Sequence, residues 1–452
     1  MTALHFREAL LPEGWAGDVR LVTREGRIAS VEPGVPPRDG DERHGTVVPG
    51  LPNLHSHAFQ RAMAGLTETR GPSADSFWTW RERMYAFALS MTPDDVAAVA
   101  SQLYVEMLEE GFTRVGEFHY LHHDRDGSAY ADRAVMAKSI VEAAHDTGIG
   151  LTLLPVFYAH GGFGGEGPNA GQRRFVNDVA SYADLLAESR RAVAGLDGAV
   201  LGVAPHSLRA ATLAELDAVV PLAGDGPIHI HIAEQVAEVE ACLAWSGQRP
   251  VEWLLAHQPV DGRWCLVHAT HMTPGETSAM ARSAAVAGLC PITEGNLGDG
   301  TFNGPDFTIA GGRFGVGSDS NVLVSLPGEL QQLEYSQRLL HHARNVMATP
   351  ARHSTGRALF EGALSGGAAA LGTPNAGLRP GEWADCVSLD AAHPTLAARG
   401  GDAALDSWIF AGRGGLVDCV WSRGRKVVSD GHHHRRAAIR ARFAATMARL
   451  LA

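Results

Sequence analysis

The chain is poor in lysine. Only Lys138 and Lys426 occur, so arginine carries nearly all of the positive charge. Positive charge is itself in deficit, with a formal net charge of −12. That excludes the basic face on which nonspecific nucleic-acid binding depends. It also means that an anionic small molecule needs a local arginine cluster to overcome the long-range field. Cysteine is scarce as well. Cys242, Cys265, Cys290, Cys386 and Cys419 are odd in number, scattered, and form no C-x-x-C pair. A disulfide framework or a thiolate zinc site is not expected, and all five read as small buried hydrophobes. No uninterrupted apolar stretch is long enough to span a bilayer. Arg7, Glu8 and Glu13 interrupt the start, where a secretory signal would need an apolar run. A cytoplasmic protein is expected.

What is present is ordinary globular material: 452 residues, 45% hydrophobic and 19% charged. The length admits one large α/β domain with a smaller companion. Short strand-like pieces with turns mark the first 48 residues, such as 19–22 and 26–31. Similar pieces recur at 384–389 and 417–421. Both ends of the chain therefore suit one small β unit. The middle differs. Apolar runs at 114–118, 150–156, 199–203, 228–232, 264–268, 285–290 and 313–317, with the run before His55, alternate with helical patterns such as Pro93–Glu110 and Ala131–Thr147. Eight buried strands separated by helices predict a parallel (β/α)8, TIM-like barrel. In such a barrel the chemistry sits at the C-terminal strand ends.

His55-Ser56-His57 closes the first strand. Side chains two apart on a strand share a face, so both imidazoles can meet one ion. Taken alone, among 22 histidines, the pair also reads as two ordinary polar residues. His229-Ile230-His231-Ile232-Ala233-Glu234 ends the fifth strand. His231, nearer the end, is the expected ligand, and His229 reads as a buried, hydrogen-bonded histidine. Glu234 is placed for acid–base work, with first-turn helix capping as the alternative. His268 ends the sixth strand, and His271 on the following loop reads as a supporting residue. Asp319 follows Gly317, which permits close approach, and suits a metal ligand and proton acceptor. The force of the pattern lies in its conjunction: these residues occur in order at separate strand ends.

That order resembles the amidohydrolase superfamily over nearly the whole chain. Gly377-Leu-Arg-Pro-Gly-Glu-Trp-Ala-Asp385 looks like the return into a small β-sandwich built from both termini. Five stretches resemble the formimidoylglutamate deiminase family within it: His55–Gly65, Ser76–Arg81, Glu117–Tyr120, His206–Arg209 and Thr293–Gly300. The resemblance implies a sandwich from 1–48 and 376–435, a metal-dependent barrel from 49–375 and a C-terminal helix from 436–452.

Two-metal members of the superfamily usually use a carboxylated lysine on the fourth strand. Lys138 falls in a helix pattern and Lys426 in a C-terminal turn. One divalent ion is expected, held by His55, His57, His231 and Asp319 plus water; zinc is the first choice and Fe2+ the alternative. The implied reaction is hydrolysis of N-formimino-L-glutamate to N-formyl-L-glutamate and ammonia, in histidine degradation. Asp319 accepts the water proton, His268 orients the nucleophile or stabilises the tetrahedral intermediate, and Glu234 shuttles a proton to the leaving ammonia. Arg209 first and Arg81 second suit the substrate's two carboxylates, with Gln60, Tyr120 and His206 adding hydrogen bonds. A homodimer is expected. Two other readings stay open: a deaminase of a purine, pyrimidine or other cyclic amidine, and a non-catalytic metal-binding scaffold. The run His432–His434 reads as an exposed loop, and the glycine-rich 160–174 as a mobile loop.

Overall fold

The computed structural model describes residues 2–70, 77–374 and 377–452. Ser76 of the Ser76–Arg81 stretch and the expected border at 375/376 lie outside them. Four strands open the chain: β1 (Thr2–Leu11), β2 (Gly14–Arg24), β3 (Arg27–Glu32) and β4 (Glu42–Pro49). Nine follow: β5 (Leu51–Ser56), β6 (Phe112–His119), β7 (Gly150–Phe157), β8 (Val200–Leu201), β9 (Ala204–Pro205), β10 (Ile228–Ile232), β11 (Trp264–His268), β12 (Val286–Leu289) and β13 (Arg313–Val316). Four more close it: β14 (Cys386–Leu389), β15 (Val417–Ser422), β16 (Arg425–Ser429) and β17 (His432–His433).

The strands of the two ends form one eight-stranded sheet, in the order β17-β16-β15-β14-β4-β1-β2-β3. β1 and β2 form an antiparallel hairpin, and β4 lies parallel to β1. The ends meet where β4 pairs with β14, Thr46–Pro49 against Leu389–Cys386. Leu4, Phe6, Val19, Leu21, Ile28, Val47, Cys386 and Trp421 form a core on this sheet. The exposed-loop reading of His432–His434 is corrected in part: His432 and His434 are exposed, but His432–His433 form β17 and His433 is buried. His433 is 5% exposed and donates from Nε2 to the Thr147 carbonyl at 2.9 Å.

The middle strands form two parallel sheets, β5-β6-β7-β8 with β9 beside β7, and β10-β11-β12-β13. β5, β6, β7, β10, β11 and β12 are buried at every position, as parallel strands covered on both faces must be. The two sheets meet at both margins. Val203 bridges to Ile228 and Ser207 to His231 on one side, and Ser56 to Asp319 on the other. The run 199–203 is not one strand. It breaks at Gly202, where an added Cβ would lie 2.4 Å from the Pro227 carbonyl oxygen, and Val203 bridges across to Ile228.

Helices fill the intervals. Pro93–Glu109 starts on a capping box, Thr92 with Asp95. Val135–Thr147 stops at Gly148, whose φ of +77° suits only glycine well. All five cysteines are buried and free. Among the described residues no helix is long and apolar enough to cross a membrane. The glycine-rich segment 160–174 is tied down at several points. His160 pairs with Glu215 at 2.9 Å, Phe163 stacks on Trp245, and buried Arg174 donates to the Met91 carbonyl at 2.8 Å.

Candidate active site

Three imidazoles and one carboxylate converge at the C-terminal ends of β5, β10 and β13. His55 Nε2 lies 3.2 Å from His57 Nε2 and 3.0 Å from His231 Nε2. Asp319 Oδ1 is 3.1 Å from His57 Nε2 and 3.5 Å from His55 Nε2. All four ligand atoms lie within 4.8 Å of one another, and all four residues are buried. The backbone fixes two of the rings. His57 Nδ1 donates to the Phe118 carbonyl at 2.9 Å, and His231 Nδ1 to the His206 carbonyl at 3.0 Å. Each proton therefore sits on Nδ1, and each Nε2 offers a lone pair. Burial pushes the His55 pKa down to about 3 and holds His231 well below the usual range. Burial opposes ionisation of Asp319, but the adjoining His55 and His57 imidazoles hold its carboxyl well below the ordinary value. Neutral imidazoles aimed at one another beside an ionised carboxylate repel unless a cation sits between them. The edge of a tetrahedral site with Zn–N of ~2.0–2.1 Å is about 3.3–3.4 Å, close to the observed spacings. The donor set fits a borderline divalent ion.

Asp319 reaches this point because its strand end packs directly on β5. His57 N donates to the Asp319 carbonyl and Asp319 N to the His55 carbonyl, both at 3.0 Å. Gly317 makes the approach possible: a Cβ there would lie 2.6 Å from His55 O and 2.7 Å from His55 N. Neither backbone atom can move without moving a ligand. Gly317→Ala should cost at least ~1–3 kcal/mol and lower the ion content together. A thermal melt and a metal assay check this, and an unchanged Tm would show that the contact is loose. Backbone strain collects here too, with positive φ at Ala233, His268, Ala269, Asp319 and Asn321.

Beside the cluster, His268 Nε2 stands 3.8 Å from Glu234 Oε1 and 3.9 Å from Asp319 Oδ2. Its Nδ1 donates to Glu294 Oε1 at 3.2 Å. Burial works against the His268 charge, but Glu234, Glu294 and Asp319 push its pKa up to about 10. Burial pushes Glu234 up to about 7. His229 donates to the Ala370 carbonyl at 2.7 Å and stays in the core. His271 donates to the Asp299 carbonyl at 2.8 Å, outside the pocket wall.

One cleft opens onto these groups. Its wall holds His57, His231, Asp319, Glu234 and His268 together with Gln60, Arg81, Tyr120, His206 and Arg209. Every candidate residue named from the sequence thus lines this cleft, except His55, which lies fully buried beneath it. Gln60 Nε2 donates to Tyr120 Oη at 2.7 Å. Trp80, Met84, Tyr85, Tyr158, Phe175 and Leu297 complete the wall and were not anticipated. Trp80 and Leu297 fall within the Ser76–Arg81 and Thr293–Gly300 stretches, and two others carried a positional signal. Tyr85 stands four residues after Arg81 on the helix Phe77–Ala88, hence on the same face, and its ring lies 5.7 Å from the Arg81 guanidinium carbon. Tyr158 directly follows β7, at a strand end. Phe175 had none. Glu117 was also missed as a support. Its Oε1 accepts from Ala58 N at 2.6 Å, anchoring the turn after His57, and burial pushes its pKa up to about 7.

Comparison with known proteins agrees with this geometry. The Amidohydrolase family model matches residues 46–427. The chain belongs to the amidohydrolase family. The amidohydrolase match is preceded at residues 1–45 by a match to the N-terminal domain of formimidoylglutamate deiminase HutF. The formimidoylglutamate deiminase of Pseudomonas aeruginosa is 49% identical over 436 residues, covering 96% of each chain. A solved amidohydrolase from Brucella melitensis superposes with a TM-score of 0.97 at 59% identity, covering 100% of both chains. An adenosine deaminase from Xanthomonas campestris with bound zinc shares the amidohydrolase fold, with a TM-score of 0.83, 20% identity and coverage of 100% and 98%.

Proposed function

We propose that this protein hydrolyses N-formimino-L-glutamate to N-formyl-L-glutamate and ammonia, a step of histidine degradation. The observation that carries the reading is the pairing of Arg81 and Arg209 with the His/His/His/Asp cluster in one cleft of a chain of net charge −12. A substrate with an amidine at one end and two carboxylates at the other uses both halves of that cleft. The 49% identical relative bears the name of this activity.

A single divalent ion, zinc or in its place Fe2+, would be held by His55, His57, His231 and Asp319, and would supply the Lewis acidity that makes water a nucleophile near neutral pH. Arg209 and Arg81 grip the carboxylates, and Gln60, Tyr120 and His206 orient the chain between the two ends. Water adds to the formimino carbon while Asp319 takes its proton. His268, charged by its carboxylate neighbours, steadies the developing negative charge. Glu234, buried and titrating near neutrality, passes a proton to the nitrogen that leaves as ammonia. The N-formyl group remains.

The two parallel sheets, bridged at both margins, are read as one (β/α)8 barrel over 49–375. The terminal sheet is read as a sandwich over 1–48 and 376–435, with 436–452 as a C-terminal helix. A homodimer completes the proposal. The test is ammonia release from N-formimino-L-glutamate by metal-loaded protein, set against guanine and cytosine. Turnover of formiminoglutamate alone is the expected result. Faster release from a cyclic amidine would overturn it, and bound metal without any turnover would favour a scaffold.

A further inference from the structure

The glycine-rich segment 160–174 sends one fully buried polar side chain to the back of the cleft wall. Gln172 is 0% exposed and ends the short turn Ala170–Gln172. Its Oε1 accepts from Asn169 N at 2.8 Å. A backbone N–H can only donate, so this contact settles which way the amide faces and turns both amide protons to the other side. There Nε2 donates to Tyr158 Oη at 2.6 Å and to Tyr85 Oη at 3.3 Å. The fit is close, for a Cβ on neighbouring Gly171 would lie 2.8 Å from Tyr85 Cδ2. Both tyrosines line the cleft with Arg81 and Arg209. A phenol oxygen that accepts from an amide directs its own proton elsewhere. Burial pushes the Tyr158 phenol well up, so that proton stays in place.

We propose that Tyr85 and Tyr158 determine specificity by donating together to one carboxylate of the substrate, and that Gln172 is the positioning residue that aims them. The proposal rests on the substrate reading above and deepens it. Both hydroxyl oxygens lie within hydrogen-bond reach of a single nitrogen, so one carboxylate can meet both phenols. Arginine supplies charge for that carboxylate. Neutral donors held in fixed directions supply discrimination, because an analogue lacking the group leaves them buried and unpaired. The segment 160–174 is in this role a fixed part of the binding wall.

The experiment measures ammonia release by zinc-loaded full-length wild type, Tyr85→Phe, Tyr158→Phe, Gln172→Glu and the Gln172→Glu/Tyr158→Phe double variant, with metal content and Tm alongside. The substrates are N-formimino-L-glutamate and two analogues with one carboxylate each, N-formimino-4-aminobutyrate and N-formimino-L-norvaline. Each tyrosine variant should raise KM for formiminoglutamate about 10-fold with kcat held within about 3-fold. Gln172→Glu keeps the shape and the bond from Asn169 but draws the phenol protons to itself. It should raise KM at least as much, and adding Tyr158→Phe should change kcat/KM little further. The losses should persist with one analogue and vanish with the other. An unchanged KM in both tyrosine variants, losses of equal size on all three substrates, additive losses in the double variant, or losses that follow metal content or Tm would each overturn the proposal. A wild type that releases no ammonia from formiminoglutamate would overturn the substrate reading itself, a failure distinct from these.

Discussion

His231→Ala is expected to abolish ion binding and with it turnover. Three Nε2 atoms and one carboxylate oxygen define the cluster, and His231 Nε2 is 3.0 Å from His55 Nε2. Its ring is locked from behind by the His206 carbonyl. Two histidines and one aspartate remain, both histidines on the same strand end and its turn. The substitution also removes one wall of the cleft. A Lewis acid contributes several kcal/mol to such hydrolyses, so kcat/KM should fall by about 10^3-fold or more. Metal analysis of the purified variant should find far less than one ion per chain. Full metal content would refute the ligand assignment, whatever the activity.

Arg209→Ala should leave the ion in place and still cripple turnover of a dicarboxylate. Arg209 lines the cleft together with Glu234 and Arg81, and it does not belong to the ligand cluster. Truncating one partner of a desolvated charge pair costs ~2–5 kcal/mol, so kcat/KM for formiminoglutamate should fall by about 30- to 5,000-fold. Lysine should rescue only part of that loss, because a point charge cannot match the guanidinium fork on a carboxylate. Steady-state kinetics with parallel metal analysis separate the two arms. An unchanged kcat/KM would remove Arg209 from carboxylate recognition.

The two substitutions fall on residues that the sequence marks unequally. His231 lies in Ile228–Ile232, an apolar run that coincides with β10 residue for residue, and the alternation places it on the face opposite the isoleucines. The runs at 264–268 and 150–156 likewise coincide or nearly coincide with β11 and β7. Buried parallel strands are legible because both faces are apolar, and strand ends then locate the polar exceptions. β1 and β4 were harder to see. Their pattern is half-polar, and β4 is stabilised by β14, a partner roughly 340 residues away that no local window contains. The run at 199–203 divides at Gly202, where the chain passes from pairing with β7 to bridging across to Ile228, a tertiary switch no local window contains. Within the cleft, the imidazoles and carboxylates stood out as polar residues in apolar settings. Phe175 and Met84 look like any other core residue until the helices are placed.

The seam between β4 and β14 has a consequence for the order of events during synthesis. β4 runs into β5 through the single residue Gly50, so the strand that carries His55 hangs directly from the terminal sheet. Its neighbour there, β14, leaves the ribosome roughly 340 residues later, which at ~5–20 residues per second is about 20 to 70 seconds. For that interval β4, from which the first ligand strand hangs, waits with one margin unpaired, while β5 itself pairs with β6 and, through Ser56, with Asp319. A strand made late therefore completes the sheet from which the first ligands hang, and a nascent chain halted before β14 should emerge with the β4 seam unpaired.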